Sequence, residues 1–263
     1  MEIKFLCFGA YSLFMIRIRE TAKGDYRILA SVSDFCDSMG YCELRIRHFL
    51  KGVKPPQTQV TIEGTKSHEK EVEYEREHFE FVPLTQKELE DIKKDMELPR
   101  EGTYTRFRTK IYNGNKKLSI LIVGKADKIA RSNEMLIVEE LKNTWNKEKY
   151  LEKPEPYHNH ILQALLYLNS RFTENPLSLP KEWFEIPHSQ KVWIIRIKDV
   201  KTGEIVRIFK GIQTKEAEDF LIEKIVRFAL IVLGVLQPEH HKNPNKCRSC
   251  RSFNDCEYKI TNS

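Results

Sequence analysis

The sequence predicts a mixed α/β fold, in which helices pack on a sheet of parallel and antiparallel strands. Two largely apolar runs, 118–123 and 135–142, have the length and composition of strands buried on both faces. Asn113-Gly114 predicts a hairpin between two strands, and residues 216–236 carry the broad apolar face of a long helix. Because strands and helices alternate along the chain, a layered α/β architecture with a mixed sheet follows.

The other elements are predicted from local signals in chain order. Residues 1–30 are expected to form a hairpin around the turn 22–25, and Ser33-Asp34 to cap a helix that carries both Cys36 and Cys42. Three further helices are expected: one that begins at Gly64, one that follows the capping box 85–88, and one over 160–169. Residues 145–157 are expected to form a polar loop, and residues 191–197 and 205–211 to form a hairpin.

The composition fits an intracellular chain that is able to bind nucleic acid. Its 263 residues suffice for one large domain, and 44 Lys and Arg against 38 Asp and Glu give a net charge of +6, which permits a nucleic-acid partner without requiring one. No apolar run approaches the roughly 20 residues of a membrane span. Because the chain shows no signal peptide and three of its six cysteines crowd the last seventeen residues, we expect reduced thiols and a cytoplasmic location.

Charged residues follow the two central strands at the point where each strand ends. Asp127 comes shortly after the first strand, and the second ends in Glu139-Glu140-Leu141-Lys142. Side chains alternate along a strand, so Glu140 and Lys142 share one face while Glu139 lies on the other. Two neighbouring carboxylates repel each other unless a positive charge lies between them, and a divalent cation commonly fills that role. A solvated strand end with a surface Glu–Lys pair is the alternative interpretation.

Two further groups of residues carry possible chemistry. His68 precedes the central strands, and Gln163 and Tyr167 are spaced i, i+4 on one face of the following helix. Four thiolates can hold a tetrahedral zinc ion or a 4Fe-4S cluster. Spacing alone favours zinc, an interpretation that the nearby His240-His241 pair strengthens. The candidate thiols are Cys247, Cys250 and Cys256, with Cys42 or Cys36 as the fourth.

These motifs resemble the motif series of the RecB-type nucleases of the PD-(D/E)XK superfamily. The cysteine spacing, with a distant N-terminal cysteine, is similar to the iron–sulfur branch of that group, which includes the CRISPR-associated RecB-like exonuclease (the fourth CRISPR-associated protein) and eukaryotic exonuclease five. The resemblance covers about residues 31–258, whereas 1–30 and 69–110 match nothing in the pattern. The matching motifs are Gly64-x-x-x-His68, Gly124-x-x-Asp127, Glu140-x-Lys142, Gln163-x-x-x-Tyr167 and Cys247-x-x-Cys250-x-x-x-x-x-Cys256.

The resemblance implies a fold, a division of the chain and an activity. The expected fold is a restriction-endonuclease-like core with a mixed central sheet flanked by helices, in a single domain over 1–263. Residues 60–211 form the nuclease core, 1–30 an N-terminal hairpin, and 31–50 with 237–258 an iron–sulfur lobe. The implied activity is metal-dependent hydrolysis of DNA by an exonuclease or endonuclease, with a single-strand exonuclease as the expected form. In CRISPR spacer acquisition the partners would be DNA ends and the CRISPR integrase complex.

The resemblance also implies roles for individual residues. Asp127, Glu140 and His68 would hold manganese or magnesium, and Lys142 would orient or deprotonate the attacking water. Gln163 and Tyr167 would position the DNA backbone or the lysine, and Glu139 is the structural alternative to Glu140. The family pattern reverses the preference for zinc in favour of a 4Fe-4S cluster, whose ligands would be Cys42, Cys247, Cys250 and Cys256, with Cys36 as the alternative to Cys42.

Two other functions stay open at this point. The first is a stand-alone repair, recombination or viral single-strand exonuclease of the same fold. The second, from a different class, is a catalytically silent DNA-binding scaffold that keeps the cluster. The complete set of His68, Asp127, Glu140 and Lys142 argues against the second. Cleavage polarity, sequence preference and oligomeric state do not follow from the sequence.

Overall fold

Two four-stranded mixed sheets form the frame of the molecule, as seen in a computed structural model. The structure describes residues 16–53, 62–63, 66, 104–113, 116–132, 135–170, 186–250, 252, 254 and 256–260. The helices are α1 (Val32–Met39), α2 (Arg45–Leu50), α3 (Glu148–Leu151), α4 (His158–Leu168), α5 (Lys215–Val232) and α6 (Pro244–Arg248), with a 3-10 turn at His188–Gln190.

The first sheet has the strand order β1-β2-β4-β3. Its strands are β1 (Arg17–Glu20), β2 (Tyr26–Ser31), β3 (Tyr104–Asn113) and β4 (Lys116–Lys125). Strand β4 pairs in parallel with β2 and antiparallel with β3. The hairpin predicted at Asn113-Gly114 is confirmed, because Asn113 lies opposite Lys116.

The second sheet has the strand order β5-β6-β7-β8. Its strands are β5 (Lys128–Ser132), β6 (Met135–Thr144), β7 (Lys191–Asp199) and β8 (Ile205–Ile212). Strand β6 pairs in parallel with β7, and the β7–β8 hairpin agrees with the one predicted over 191–211.

The mixed α/β class is confirmed, but the described strands form two sheets where one mixed central sheet was expected. The two central runs lie in different sheets, since the chain bends at Ala126 and Asp127 and then forms the extra strand β5. Side-chain and backbone hydrogen bonds hold this bend. The Leu141 N–H donates to the Asp127 carboxylate (2.8 Å), and the Asp127 N–H donates to Glu140 Oε1 (3.3 Å).

The prediction of one helix carrying both Cys36 and Cys42 is wrong. Ser31, rather than Ser33 or Asp34, caps α1 by accepting the Asp34 N–H, and α1 ends at Met39. The reason is a close approach of α4: a Cβ on Gly40 would lie 2.5 Å from the Asn159 Cα. Cys36 therefore lies on α1, whereas Cys42 lies in the connection to α2.

Three helices cover the core. Phe35 of α1 and Phe228 of α5 meet edge to face at 5.2 Å, and Leu162 of α4 is fully buried in the same apolar cluster. Helix α5 ends at Val232 because Gly234 takes a positive φ, four residues before the predicted end. The loop expected over 145–157 contains the short helix α3.

Several predictions lie outside the described residues. They include His68, Gly64 and the capping box 85–88, although residues 62, 63 and 66 are helical. Within the described part of the chain, no helix combines the length and apolar character needed to cross a membrane.

Candidate active site and cysteine cluster

The bend between the two sheets brings Asp127 and Glu140 together. Asp127 follows β4 directly, and its carboxylate accepts the N–H of Leu141 in β6. Glu140 has no exposed surface, and its Oε1 accepts the Asp127 N–H at 3.3 Å. The two carboxylates predicted at the ends of the central strands are therefore neighbours, although the strands belong to different sheets.

Lys142 lies on the same face of β6 as Glu140. Its Nζ is 2.8 Å from Glu140 Oε2 and its side chain is 18% exposed, so this ion pair is almost enclosed. Glu139 lies on the opposite face and pairs with Arg196 of β7 at 3.0 Å. The alternation of side chains along β6 separates the two glutamates as predicted. We refer to Asp127, Glu140 and Lys142 as the carboxylate site.

The carboxylate site contains two acids and one lysine, and the neighbouring groups shift the pKa values of Glu140 and Lys142. Burial and the neighbouring Asp127 raise the pKa of Glu140 to about 8, against the opposing effect of Lys142. Burial alone would lower the pKa of Lys142, but Glu140 and Asp127 outweigh it and raise that pKa. A bound cation would therefore favour ionisation of both carboxylates.

Tyr167 and Gln163 of α4 face this site. Tyr167 is 2% exposed, and Gln163 Nε2 donates to its hydroxyl at 3.5 Å. Burial raises the pKa of the Tyr167 phenol, and the charges of Glu140 and Asp127 raise it further. A Cβ on Gly124 would lie 3.0 Å from this hydroxyl and 2.6 Å from Val32, which explains the glycine three residues before Asp127.

His160 is a further residue of this site that the sequence analysis did not single out. It lies on α4 one turn before Gln163, and its Nδ1 is enclosed without a hydrogen-bond partner among the described residues. Burial, together with the charges of Lys142 and Lys153, lowers the pKa of His160 to about 3, so its ring is neutral. The i, i+3, i+7 spacing of His160, Gln163 and Tyr167 on one helix face was the available signal.

A cleft of about 690 Å³ begins at His160 and extends to the C-terminal segment. Tyr157 is 39% exposed, and Lys153 Nζ lies 4.2 Å from the centre of its ring. The cleft therefore combines aromatic surface with positive charge beside the carboxylate site. Its aromatic and basic lining residues are Tyr41, Tyr150, Tyr157, Lys149, Lys153, Lys246, His158 and His160.

The second candidate site is the cysteine cluster, by which we mean Cys42, Cys247, Cys250 and Cys256. Cys42 and Cys247 are buried, and the other two are partly exposed. Burial raises the pKa of Cys42, and Cys250 and Cys256 are close enough to raise it further. These thiols are soft donors held near one another, so the donor set fits a zinc ion or an iron–sulfur cluster.

Cys36 has different surroundings from the cysteine cluster. It is buried on α1, and burial raises its pKa well above the ordinary value. The charged groups that act on its pKa are Asp37, Lys142 and Glu140. Cys36 therefore lies beside the carboxylate site.

Two histidines adjoin the cysteine cluster. The ligand atoms of Cys42, His240 and His241 lie within 4.8 Å of one another, a spacing that could hold a metal ion. Cys247 Sγ is 3.4 Å from His240 Nε2 and 3.9 Å from His241 Nε2.

The described N-terminal and C-terminal segments are bound to each other around these thiols. The Tyr41 hydroxyl donates to the Lys246 carbonyl (2.6 Å), and Lys246 Nζ donates to the Tyr41 carbonyl (2.8 Å). Arg227 of α5 pairs with Glu43 at 2.6 Å and with Glu239 at 3.0 Å. Residues on both sides of Cys42 thus hold the segment that leads to Cys247.

No family model matches this chain, and no curated protein matches it. Among solved structures, the chain is similar to the protein SSO0001, with 20% identity over 89% of this chain and 87% of that one and a TM-score of 0.43. It is also similar to a protein from Eubacterium rectale named "Putative exonuclease", with 12% identity over 89% of each chain and a TM-score of 0.40. At such TM-scores neither likeness supports a conclusion about this chain.

Proposed function

We propose that this protein is a metal-dependent deoxyribonuclease. The observation that carries the proposal is the carboxylate site: two adjacent acids, one without any exposed surface, share an enclosed lysine. Burying a carboxylate is costly unless it is paired, and here Asp127 adds a second negative charge. Such an arrangement is explained by a cation that binds during function.

Each residue of the site has a role in this proposal. Asp127 and Glu140, with His68 as a further ligand, would hold manganese or magnesium, and the bound ion would activate water and neutralise charge on the phosphate. Lys142 orients the attacking water and stabilises the developing negative charge. Gln163 holds the Tyr167 hydroxyl at the site, and together they position the DNA backbone.

The substrate in this proposal is a single strand or a single-stranded end of DNA. The cleft beside His160 supports it, because an exposed aromatic ring such as that of Tyr157 can stack on a base and lysines contact phosphates. We expect manganese to be at least as effective as magnesium, since a histidine ligand favours a transition metal. Efficient cutting of blunt duplex, or full activity in chelator, would contradict this substrate assignment.

The cysteine cluster is proposed to hold a 4Fe-4S cluster. The pKa of Cys42 responds to Cys250 and Cys256, whereas that of Cys36 responds to the carboxylate site, which supports Cys42 as the fourth ligand. The biological role proposed is the processing of DNA ends for CRISPR spacer acquisition with the integrase complex in the cytoplasm. Repair or recombination by a stand-alone exonuclease is the alternative.

The carboxylate site can be tested with matched single substitutions. Asp127→Ala and Glu140→Ala should abolish cleavage of a 5′- or 3′-labelled single strand in manganese, and Lys142→Ala should slow it by about 100- to 1000-fold. Glu139→Ala is the matched control and should retain activity, because Glu139 pairs with Arg196 on the other face of β6. Activity that depends on Glu139 and not on Glu140 would refute the proposed site.

The cleft can be tested separately by binding. In the Lys142→Ala background, Tyr157→Ala should weaken the affinity for a labelled single strand by ~10-fold, measured by fluorescence anisotropy. Tyr258→Ala is the control, because Tyr258 is 49% exposed and does not line the cleft. Equal losses of affinity in the two variants would contradict the proposal that the single strand binds in this cleft.

A further inference from the structure

Three nitrogen atoms lie at hydrogen-bonding distance from the sulfur of Cys247. His240 Nε2 and His241 Nε2 lie 3.4 and 3.9 Å from Cys247 Sγ, and the Ile260 N–H donates to the same sulfur at 3.5 Å. Cys247 is 4% exposed, so water competes little for these contacts. The question is whether the two imidazoles are metal ligands or hydrogen-bond donors.

The other nitrogen of each ring answers that question. The Lys242 N–H donates to Nδ1 of His240 at 3.2 Å, and the Asn243 N–H donates to Nδ1 of His241 at 3.0 Å. A nitrogen that accepts a hydrogen bond carries a lone pair, so the single proton of a neutral imidazole must be on Nε2.

This arrangement is the reverse of the usual one for a metal-binding histidine. Such a histidine binds through one nitrogen and donates its other N–H to a carboxylate or carbonyl. Here both Nδ1 atoms accept from the backbone, and binding a metal through Nε2 would remove the only ring proton.

We propose that His240 and His241 donate N–H···S hydrogen bonds to the Cys247 thiolate and are not metal ligands. The metal centre is then bound through the thiolates of the cysteine cluster, and the histidines with the Ile260 N–H stabilise negative charge on one of those sulfurs. This inference rests on the metal centre of the proposed function and is independent of the nuclease chemistry.

Glutamine substitutions separate the two roles. The amide nitrogen of Gln can take the place of Nε2 as an N–H donor, but it does not replace an imidazole as a metal ligand. Cobalt(II) is the probe, titrated without oxygen into metal-free full-length protein and followed by visible absorption. The double variant His240→Gln/His241→Gln should keep the wild-type stoichiometry, with affinity within ~3-fold and an unchanged spectrum.

Removing the hydrogen-bond donors of His240 and His241 should weaken the binding of cobalt without changing the residues that bind it. His240→Ala/His241→Ala should lower cobalt affinity by ~10- to 100-fold with the same spectrum, and Cys247→Ser should lose binding. His188→Ala is the control and should equal wild type, because the ring of His188 pairs with Glu218 of α5 at 3.3 Å.

Three outcomes would overturn the inference. Loss of cobalt from the Gln variant, as complete as in Cys247→Ser, would make the histidines ligands. A cobalt affinity of His240→Ala/His241→Ala equal to that of wild type would show that the two histidines do not act on the metal centre. A wild-type protein that binds neither cobalt nor iron would remove the metal centre itself, whereas DNA cleavage in manganese would still test the nuclease proposal.

Discussion

Glu140 is a carboxylic acid without exposed surface, and its charge depends on its neighbours. Its pKa of about 8 lies above the ordinary value of 4.5. A raised pKa means that the folded protein favours the protonated form, so Glu140 stabilises the fold fully below pH 4.5. That contribution is lost as the pH rises through about 8.

This residue predicts a pH-dependent effect of manganese on stability. Metal-free protein should lose several degrees of melting temperature between about pH 6 and about pH 8.5, as Glu140 is forced to ionise. Manganese should raise the melting temperature more at the higher pH, because it favours ionised Glu140. Differential scanning fluorimetry in chelator and in manganese gives both quantities.

Glu140→Gln is the matched control for that experiment. The amide keeps the shape of the side chain but cannot ionise, so the decline between those pH values should flatten and the manganese effect should disappear. An unchanged pH dependence in Glu140→Gln would show that another group is responsible.

For single residues, the sequence predicted the arrangement of the candidate site wherever the geometry of one strand determines it. Strand alternation placed Glu140 with Lys142 and apart from Glu139, as the structure shows. The position of His160 could not be inferred in this way, because its enclosure beside Lys142 depends on how α4 packs on β6.

Gly124 in β4 sets the distance between this strand, α1 and α4. Gly124→Ala should destabilise the fold by ~1–3 kcal/mol, since the added methyl group would overlap Val32 Cγ2 at 2.6 Å. Cleavage should fall as well, because the Tyr167 hydroxyl lies 3.0 Å from the same position. Urea unfolding and a single-strand cleavage assay measure the two effects.

A second substitution tests that explanation. Val32→Ala removes Cγ2, the nearer overlapping atom, and leaves Cβ at 2.8 Å. The clash is therefore partly relieved, and the double variant Gly124→Ala/Val32→Ala should be more stable than the sum of the single effects by ~1 kcal/mol or more. Gly40→Ala combined with Val32→Ala should be additive, because Gly40 faces the backbone of Asn159. Additivity in the first pair would contradict direct contact.

At the level of elements, predictions succeeded where the chain itself carries the signal. The β3–β4 hairpin follows from Asn113-Gly114, and α4 from its apolar spacing. The end of α1 and the separation of the sheets depend on long-range contacts. Helix α1 ends where Asn159 of α4 packs closely against Gly40, and the two sheets separate where the Asp127 carboxylate accepts the Leu141 N–H.

For the whole molecule, Arg227 connects helix α5 to both segments that carry the cysteine cluster. It pairs with Glu43 and Glu239, and Glu43 also accepts the Glu239 N–H at 2.7 Å. Arg227→Ala should lower the free energy of unfolding by ~2 kcal/mol, because a half-buried Glu43 loses its charged donor. Urea unfolding measures this change.

Lys215→Ala is the control for Arg227. Lys215 also pairs with two acids, Glu218 and Asp219, but it is 63% exposed at the start of α5. Its removal should leave the unfolding midpoint unchanged, because exposed ion pairs are screened by solvent. A larger effect at Lys215 than at Arg227 would contradict the proposed connection.

The cysteine cluster should contribute to global stability through long-range closure. A metal that joins Cys42 to Cys247 closes a loop of about 200 residues, which restricts the unfolded chain. Protein prepared without oxygen should be brown and contain iron. Ser at any of the four positions should remove the metal and sharply lower the melting temperature.

Cys36→Ala is the control that separates loss of the metal link between Cys42 and Cys247 from the effect of removing any buried cysteine. It should keep the full metal content, since Cys36 lies beside Glu140 and Lys142. Stoichiometric zinc without iron would refute the iron–sulfur assignment and leave the nuclease proposal standing. Loss of metal from Cys36→Ala with retention in Cys42→Ser would instead make Cys36 the fourth ligand.

The short run from Cys36 to Cys42 leads from one candidate site to the other, through the end of α1 and its contact with α4. Its length therefore sets the spacing of both sites, and an insertion there would displace one relative to the other. The turn at 200–203 has no such constraint, because the site of a Cβ on Gly203 is open. An affinity tag or a fluorescent domain inserted there should be accepted, whereas one extra residue between Cys36 and Cys42 should not.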